Sequence, residues 1–60
     1  MANILIIDDD QLMCQSLALV VHQNSHLATC AHTLAEGVLK NQHEAFDVIF
    51  LDVNMPDGNG

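Results

Sequence analysis

The sequence has almost no positive charge. It contains one Lys, Lys40, and no Arg, against eight acidic residues, which gives a formal net charge of −7. A nucleic-acid backbone is itself densely negative, so these residues would repel it. The charge balance suits a cation or a partner with a basic face. We therefore expect no nucleic-acid binding by these sixty residues alone.

Large aromatic side chains are also scarce. There is no Trp, no Tyr and only two Phe, yet half of the residues are hydrophobic. A core must therefore be built from aliphatic side chains, and the composition is that of a globular chain rather than a disordered one. Sixty residues allow one domain at most. With a single Pro and no Gly-rich or Ser-rich stretch, the sequence shows no linker.

Cysteine and long apolar runs are limited too. Cys14 and Cys30 have neither CxxC spacing nor a metal-ligand pattern around them, which predicts two reduced thiols. The first apolar run, residues 4–7, is too short for a signal peptide or a membrane span. We therefore expect a cytoplasmic location.

Two apolar runs predict strands that are buried on both faces. Residues 4–7 are Ile-Leu-Ile-Ile, and residues 46–53 contain Val-Ile-Phe-Leu before Asp52. Residues 27–32 mix small and polar side chains and predict a weaker strand at an edge of the sheet. Asp52 is placed at the carboxyl end of its strand, where open α/β sheets bind their ligands.

Helices are predicted between these strands. Residues 11–24 carry an amphipathic pattern, with Asp9 or Asp10 able to cap the first turn. A second helix starts at Thr33, with Glu36 three residues later in the form of a capping box. The apolar residues assigned to the two inner faces are Leu12, Met13, Leu17, Val20 and Val21 in the first helix and Leu34, Val38 and Leu39 in the second. The resulting β-α-β-α-β order predicts a parallel sheet with right-handed crossovers.

Acidic side chains follow the two strongest strands. If these strands are neighbours, Asp8, Asp9 and Asp52 converge at one edge of the sheet. Two like charges about 4 Å apart repel by roughly 4 kcal/mol at an effective dielectric of about 20, so such a cluster must hold protons or bind a cation. Carboxylate oxygens suit Mg²⁺, and Mn²⁺ would also be accepted. With a metal bound, Asp52 could attack a phosphoryl group and form an aspartyl phosphate.

The remaining polar residues have simpler interpretations. Asp10 is expected to cap a helix or to be solvated, and Asp47 and Asp57 to begin a strand and to shape a turn. The residues His22, His26, His32 and His43 are expected to be surface histidines.

The run Ile4-Leu5-Ile6-Ile7-Asp8-Asp9-Asp10 together with Leu51-Asp52-Val53-Asn54-Met55-Pro56-Asp57-Gly58 resembles the receiver domain of two-component response regulators. The resemblance implies a flavodoxin-like open parallel sheet with strand order 2-1-3. It also implies that Asp52 is the phosphoacceptor, that Asp9 is a direct Mg²⁺ ligand with Asp8 as its outer acidic partner, and that the backbone carbonyl of Asn54 is a further ligand. The implied phosphodonor is the phosphohistidine of a sensor kinase, and the implied result is control of an output domain or downstream regulator.

The resemblance covers all sixty residues, which are expected to form the amino-terminal half of a receiver without a second domain. Residues 55–60, Met-Pro-Asp-Gly-Asn-Gly, are similar to regulators of the NtrC type. The Ser/Thr and the Lys that the family uses to hold the phosphoryl group and switch conformation have no counterpart here, so phosphorylation is expected to be poor or absent. The third strand is expected to be an edge, so that either a homodimer or higher oligomer covers Ile49 and Leu51 or the chain is marginally stable.

Two other classes of protein share part of this pattern. A phosphatase of the haloacid dehalogenase type also forms an aspartyl phosphate after a strand, but Asn54 stands where its second Asp is expected. A calcium-binding loop could begin at Asp52, but Pro56 and Gly58 break its ligand spacing. Both remain open at the level of the sequence.

Overall fold

The fold is a three-stranded sheet with two helices, seen in a computed structural model that describes residues 1–52. Its elements follow one another in the order β1 (Asn3–Ile7), α1 (Gln11–Gln23), β2 (Leu27–Ala31), α2 (Leu34–His43) and β3 (Val48–Leu51). The predicted alternation of strands and helices is therefore confirmed. Within the described range, no helix is both long enough and apolar enough to cross a membrane.

The sheet is parallel, and its strands lie in the order β2-β1-β3. Ile6 of β1 is aligned with Cys30 of β2 on one side and with Phe50 of β3 on the other. This confirms the predicted strand order 2-1-3. It also places the carboxyl ends of all three strands at the same edge.

The central strand β1 forms the core. Leu5, Ile6 and Ile7 are all buried, as the unbroken apolar run predicted. Because successive side chains of a strand point to opposite faces, Leu5 and Ile7 face one helix and Ile6 faces the other. Leu5 and Ile7 cluster with Ala31, and Phe46 packs against them. Gly37 of α2 lies against Ile7, which places α2 on this face.

Strand β3 is not buried, and the prediction that it is covered on both faces is wrong. Its four residues are each about half exposed, from 47% for Val48 to 57% for Phe50. Within residues 1–52, both helices pack against β1 and β2, and β3 contacts only β1. An apolar strand is buried only where layers lie on it, and here it forms an edge of the sheet.

The inner face of α1 differs from the predicted one. Cys14 is the buried residue of this helix, and Leu17 and Val21 are partly buried on the same side. By contrast, Leu12 is 75% exposed, and Met13 and Val20 are about half exposed. The sequence pattern fitted either orientation because apolar residues occur nearly all round the helix.

The face of α2 is also shifted. Gly37 is its buried residue and Leu34 is partly buried, whereas Val38 and Leu39 are about half exposed. A glycine contributes nothing to an apolar pattern. Its role as the point of closest approach to the sheet was therefore missed.

Both helices begin at the predicted caps. Asp10 is the cap of α1, and its carboxylate accepts hydrogen bonds from the backbone N–H groups of Leu12 and Met13 at 3.0 and 3.2 Å. Thr33 caps α2 by accepting from the N–H of Glu36 at 3.0 Å. These bonds satisfy N–H groups that have no partner inside the helix.

The two cysteines are joined, so the prediction of reduced thiols is wrong. Cys14 of α1 and Cys30 of β2 form a disulfide, with Cα atoms 6.2 Å apart and a sequence separation of 16. A long sequence spacing gives no signal of this kind, because the contact arises only when α1 packs across the sheet.

Several sequence predictions lie outside the described residues. They include the end of the third strand at Val53, the backbone carbonyl of Asn54 as a metal ligand, and the turn through Pro56, Asp57 and Gly58.

Candidate functional site

The candidate site is formed where β1 and β3 end. Asp8 and Asp9 directly follow β1, and Asp52 directly follows β3. The backbone N–H of Asp52 donates to the carbonyl oxygen of Ile7 at 2.9 Å, and that of Asp8 donates to the carbonyl oxygen of Ala31 at 2.9 Å. These bonds continue the sheet ladder one residue past the strands. They hold Asp8 and Asp52 side by side.

The side chains of Asp8, Asp9 and Asp52 meet at this edge, and we call them the acidic cluster. One carboxylate oxygen from each lies within 4.8 Å of those from the other two. Asp8 is buried, Asp52 is partly buried and Asp9 is exposed. The structure thus brings together the three acids that the strand order predicted to converge. Their roles as metal ligands stay predictions.

Asp10 caps helix α1 and is not part of the acidic cluster. Its carboxylate caps α1, while its backbone N–H donates to Oδ1 of Asp8 at 3.0 Å. The side chain of Asp8 is therefore held by the turn that starts the helix. This agrees with the interpretation of Asp10 as a capping residue.

The acidic cluster opens into a cleft of about 580 Å³. It is lined by Met13 and Leu17 from α1, by Phe50 from β3 and by Asp10. The cleft leaves room for a small group to reach Asp52.

The acidic cluster suits a hard divalent cation. Carboxylate oxygens are the ligands that Mg²⁺ and Mn²⁺ prefer. The only Lys of the chain is used elsewhere, since Lys40 Nζ lies 3.3 Å from Glu36 Oε2 and donates to the carbonyl oxygen of Cys30 at 2.8 Å. The donor set fits a magnesium site.

His32 is a neighbour of the site that the sequence interpretation missed. Its Nδ1 lies 3.4 Å from the backbone carbonyl oxygen of Asp8, and the residue is partly buried. His26 is also partly buried and accepts from the N–H of Ala2 at 2.9 Å. These two are not the surface histidines that were predicted, whereas His22 and His43 are exposed. The sequence signal that could have placed His32 near the site is its position directly after β2, at the edge where the strands end.

Glu36 has a perturbed carboxyl group near the same edge. The backbone N–H of His32 donates to its Oε1 at 3.0 Å and holds the pKa of Glu36 below its ordinary value of 4.5. Lys40 acts in the same direction but as a smaller cause. A hydrogen bond to the ionised form of a carboxylate favours that form. The ionised carboxylate of Glu36 therefore holds the turn between β2 and α2 in place.

The chain resembles several known proteins. It is 33% identical over all of its 60 residues to the KDP operon transcriptional regulatory protein KdpE of Escherichia coli (strain K12), of which it spans 27%. Among solved structures it matches the chemotaxis protein CheY4 of Vibrio cholerae, at 34% identity and a TM-score of 0.90. The match covers 93% of this chain and 47% of that one. A response regulator receiver domain protein from Clostridium thermocellum matches at 26% identity and a TM-score of 0.88, over 93% and 46% of the two chains.

The chain thus spans about half the length of these structures, and about a quarter of the curated relative. The family profile for the response regulator receiver domain matches residues 4–60, which is nearly the whole chain. The fold, the strand order and the acidic cluster agree with that match. The chain belongs to the response regulator receiver domain family.

Proposed function

We propose that this chain is the phosphoacceptor part of a two-component response regulator, and that Asp52 receives the phosphoryl group. The observation that carries the proposal is the meeting of three carboxylates at one sheet edge, with oxygens within 4.8 Å of one another. A bound cation would offset the repulsion within such a group of like charges, and a cation beside a carboxylate in an open cleft is suited to phosphoryl transfer.

Asp8, Asp9 and Asp52 would hold the metal, together with the backbone carbonyl of Asn54. The ion is Mg²⁺, and Mn²⁺ is a possible substitute. When bound, it neutralises the charge that develops on the phosphoryl oxygens. The resemblance to the family supports this assignment of ligands.

The transfer itself would be carried out by Asp52. A carboxylate oxygen of Asp52 attacks the phosphorus of a phosphohistidine on a sensor histidine kinase. The new O–P bond forms as the N–P bond breaks, and the bonding electron pair leaves with the histidine nitrogen. The nucleophile in this step is a carboxylate oxygen, and no general base is assigned to it. The chain would then be a signalling domain that modifies only itself, not an enzyme with turnover.

The phosphorylated form would control an output domain or a downstream regulator, by shifting a two-state equilibrium. The name of the Escherichia coli relative, a transcriptional regulatory protein, supports an output in transcription. We assign residues 1–60 to the amino-terminal half of a receiver domain and place the protein in the cytoplasm. The match to about half of each solved structure supports the first assignment.

Self-association through β3 is part of the same proposal. The strand is apolar, lies at the edge of the sheet, and leaves Ile49 and Leu51 about half exposed. An edge strand offers unpaired backbone groups to another strand. We propose that a second copy of the chain covers it.

The central test uses acetyl phosphate as a small phosphodonor in the presence of Mg²⁺. We expect one phosphoryl adduct per chain by intact mass, stable in acid and labile in base. Asp52→Asn should abolish the adduct.

Asp10→Asn is the matched control, because Asn is as good a helix cap as Asp and Asp10 is not assigned to the metal. It should leave the adduct unchanged. An adduct that persists in the Asp52→Asn variant would refute the assignment of the acceptor. Continuous release of phosphate would instead favour the phosphatase class, and preference for Ca²⁺ over Mg²⁺ would favour a calcium loop.

A further inference from the structure

The Cys14–Cys30 disulfide joins α1, which begins beside the acidic cluster, to β2, in which the carbonyl oxygen of Ala31 accepts from the N–H of Asp8. Cys14 lies in the first turns of α1 and is fully buried, while Cys30 lies in β2 and is only partly buried. Their Cα atoms are 6.2 Å apart, within the range of an ordinary disulfide. The bond fixes the start of the helix to the sheet on the face of Ile6.

On the helix side, two hydrogen bonds lead from Cys14 to the acids. The N–H of Cys14 donates to the carbonyl oxygen of Asp10 at 3.0 Å, and the N–H of Asp10 donates to Oδ1 of Asp8 at 3.0 Å. The position of the first helical turn therefore determines where the Asp8 carboxylate is held.

On the sheet side the connection is equally short. Cys30 is followed by Ala31, whose carbonyl oxygen accepts from the N–H of Asp8 at 2.9 Å. Asp8 is thus held by one bond from the helix turn and one from β2. The disulfide connects the same two elements a few residues away.

We propose that this disulfide is a reversible redox clamp that sets the affinity of the acidic cluster for Mg²⁺. The inference rests on the proposed function, because it assumes that the cluster binds metal and that the protein is cytoplasmic. Disulfides in reducing cytoplasm are usually transient and serve redox sensing rather than permanent stabilisation.

The buried sulfur of Cys14 has a bonding partner in both redox states of the protein. Sγ of Cys14 lies 3.7 Å from the carbonyl oxygen of Ile6, so a reduced thiol at this position has an acceptor for its proton. Opening of the bond would therefore not leave Cys14 without a partner. It would release the covalent constraint between α1 and β2 and keep the sulfur inside the core.

The difference in burial sets the order of the chemistry. The thiolate of Cys30, the more accessible residue, attacks glutathione disulfide and releases one glutathione thiolate. The thiolate of Cys14 then attacks Sγ of Cys30 and releases the second. The two protein protons pass to the two released thiolates. The protein loses two electrons, and glutathione disulfide gains them.

The clamp predicts a measurable coupling between oxidation and metal binding. A coupling in the usual range makes Mg²⁺ bind at least about fivefold more tightly to the oxidised chain than to the reduced one. Linkage is reciprocal, so saturating Mg²⁺ must favour the disulfide by the same factor. For a two-electron couple, a fivefold factor shifts the midpoint reduction potential of the Cys14–Cys30 disulfide by about 20 mV.

The experiment compares Mg²⁺ titrations of oxidised and reduced chains, with the redox state checked by alkylation and mass. Glutathione buffers with and without Mg²⁺ give the reciprocal shift. Cys30→Ala should bind Mg²⁺ like the reduced chain and show no response to reductant, while Cys14 stays in place. Thr29→Ala, the neighbouring residue of β2, is the matched control and should keep the full redox response. Reduction should also lower the thermal midpoint by roughly 10 °C.

Three results would overturn the inference. One is equal Mg²⁺ affinity of both redox forms, which would leave the proposed phosphoacceptor intact. Another is alkylation of both cysteines after incubation with glutathione disulfide, since no bond would then have formed. The third is an absence of Mg²⁺ binding in either form, which would remove the metal site of the proposed function as well.

Discussion

Gly37 of α2 lies directly against Ile7 of β1. A β-carbon placed on residue 37 would meet Cδ1 of Ile7 and come within 2.7 Å of its Cγ1. Ile7 is buried at 4% exposure, so it has little space to move away. The missing side chain of Gly37 is what allows α2 to approach the sheet this closely.

Gly37→Ala should therefore destabilise the fold even though Ala is the better helix former. The gain in helix propensity is about 1 kcal/mol, while overpacking of a core costs about 1–3 kcal/mol. We expect a net loss of about 1 kcal/mol in the free energy of unfolding, measured by urea denaturation. Ile7→Val removes Cδ1, so the double variant should lose less than the sum of the single variants. Additive losses would show that the contact does not limit the packing.

Asp9→Asn should change stability in opposite directions with and without metal. In chelator, loss of one charge relieves repulsion within the acidic cluster, which should raise the free energy of unfolding by about 1 kcal/mol. In saturating MgCl₂ the variant should be less stable than the wild type, because it has lost a ligand and gains less from binding. Thermal melts in both conditions measure the reversal.

Asp47→Asn is the comparison for that reversal, since Asp47 is also exposed but lies outside the acidic cluster. Its effect should be the same with and without Mg²⁺. If Asp9→Asn changed the stability in the same direction in chelator and in MgCl₂, this would argue against metal binding by Asp9.

Glu36→Gln should cost stability that depends on pH. The pKa of Glu36 is lowered, first by the N–H of His32 and then by Lys40. A carboxyl group whose pKa is lower in the folded state stabilises the fold above its ordinary pKa of 4.5, and this contribution is lost as the pH falls through the lowered value. The difference in thermal midpoint between wild type and variant should thus be present near neutral pH and shrink below about 4.5.

Lys40→Gln separates the two causes of that shift. It removes the ion pair but keeps the hydrogen bond from His32, so it should preserve most of the pH dependence. Gln at position 36 can still accept that hydrogen bond, which keeps the turn in place. A difference in thermal midpoint between wild type and Glu36→Gln that stays constant from neutral pH to pH 3 would contradict a lowered pKa of Glu36.

Ile49→Lys should prevent self-association. A charged side chain on an edge strand opposes pairing with another strand. We expect the wild type to show a mass above that of one chain by light scattering at high concentration, and the variant to be monomeric. Val38→Lys is the matched control, because Val38 on α2 is 50% exposed and Ile49 is 48% exposed. A monomeric wild type would contradict the proposal.

Much of the fold could be predicted from local sequence. The unbroken apolar run of β1 predicted its burial, and the oxygen side chains of Asp10 and Thr33 marked the helix starts. These signals are local, because a cap or a strand depends on residues a few positions apart. The convergence of Asp8 and Asp52 followed from strand order alone, since parallel neighbours end at one edge.

Other features depended on contacts that no local pattern records. The exposure of β3 arises because the helices cover β1 and β2 instead. The inner face of α1 is set by Cys14 rather than by the most apolar residues.

The sequence by itself determined the order of elements, the helix caps and the identity of the acids at the strand ends, because each of these follows from neighbouring residues and from the geometry of a parallel sheet. Only the tertiary structure decided which residues meet across the core. The Cys14–Cys30 bond and the contact of Gly37 with Ile7 both depend on how closely a helix approaches the sheet. That distance is set by packing of the whole fold, and residue spacing along the chain does not encode it.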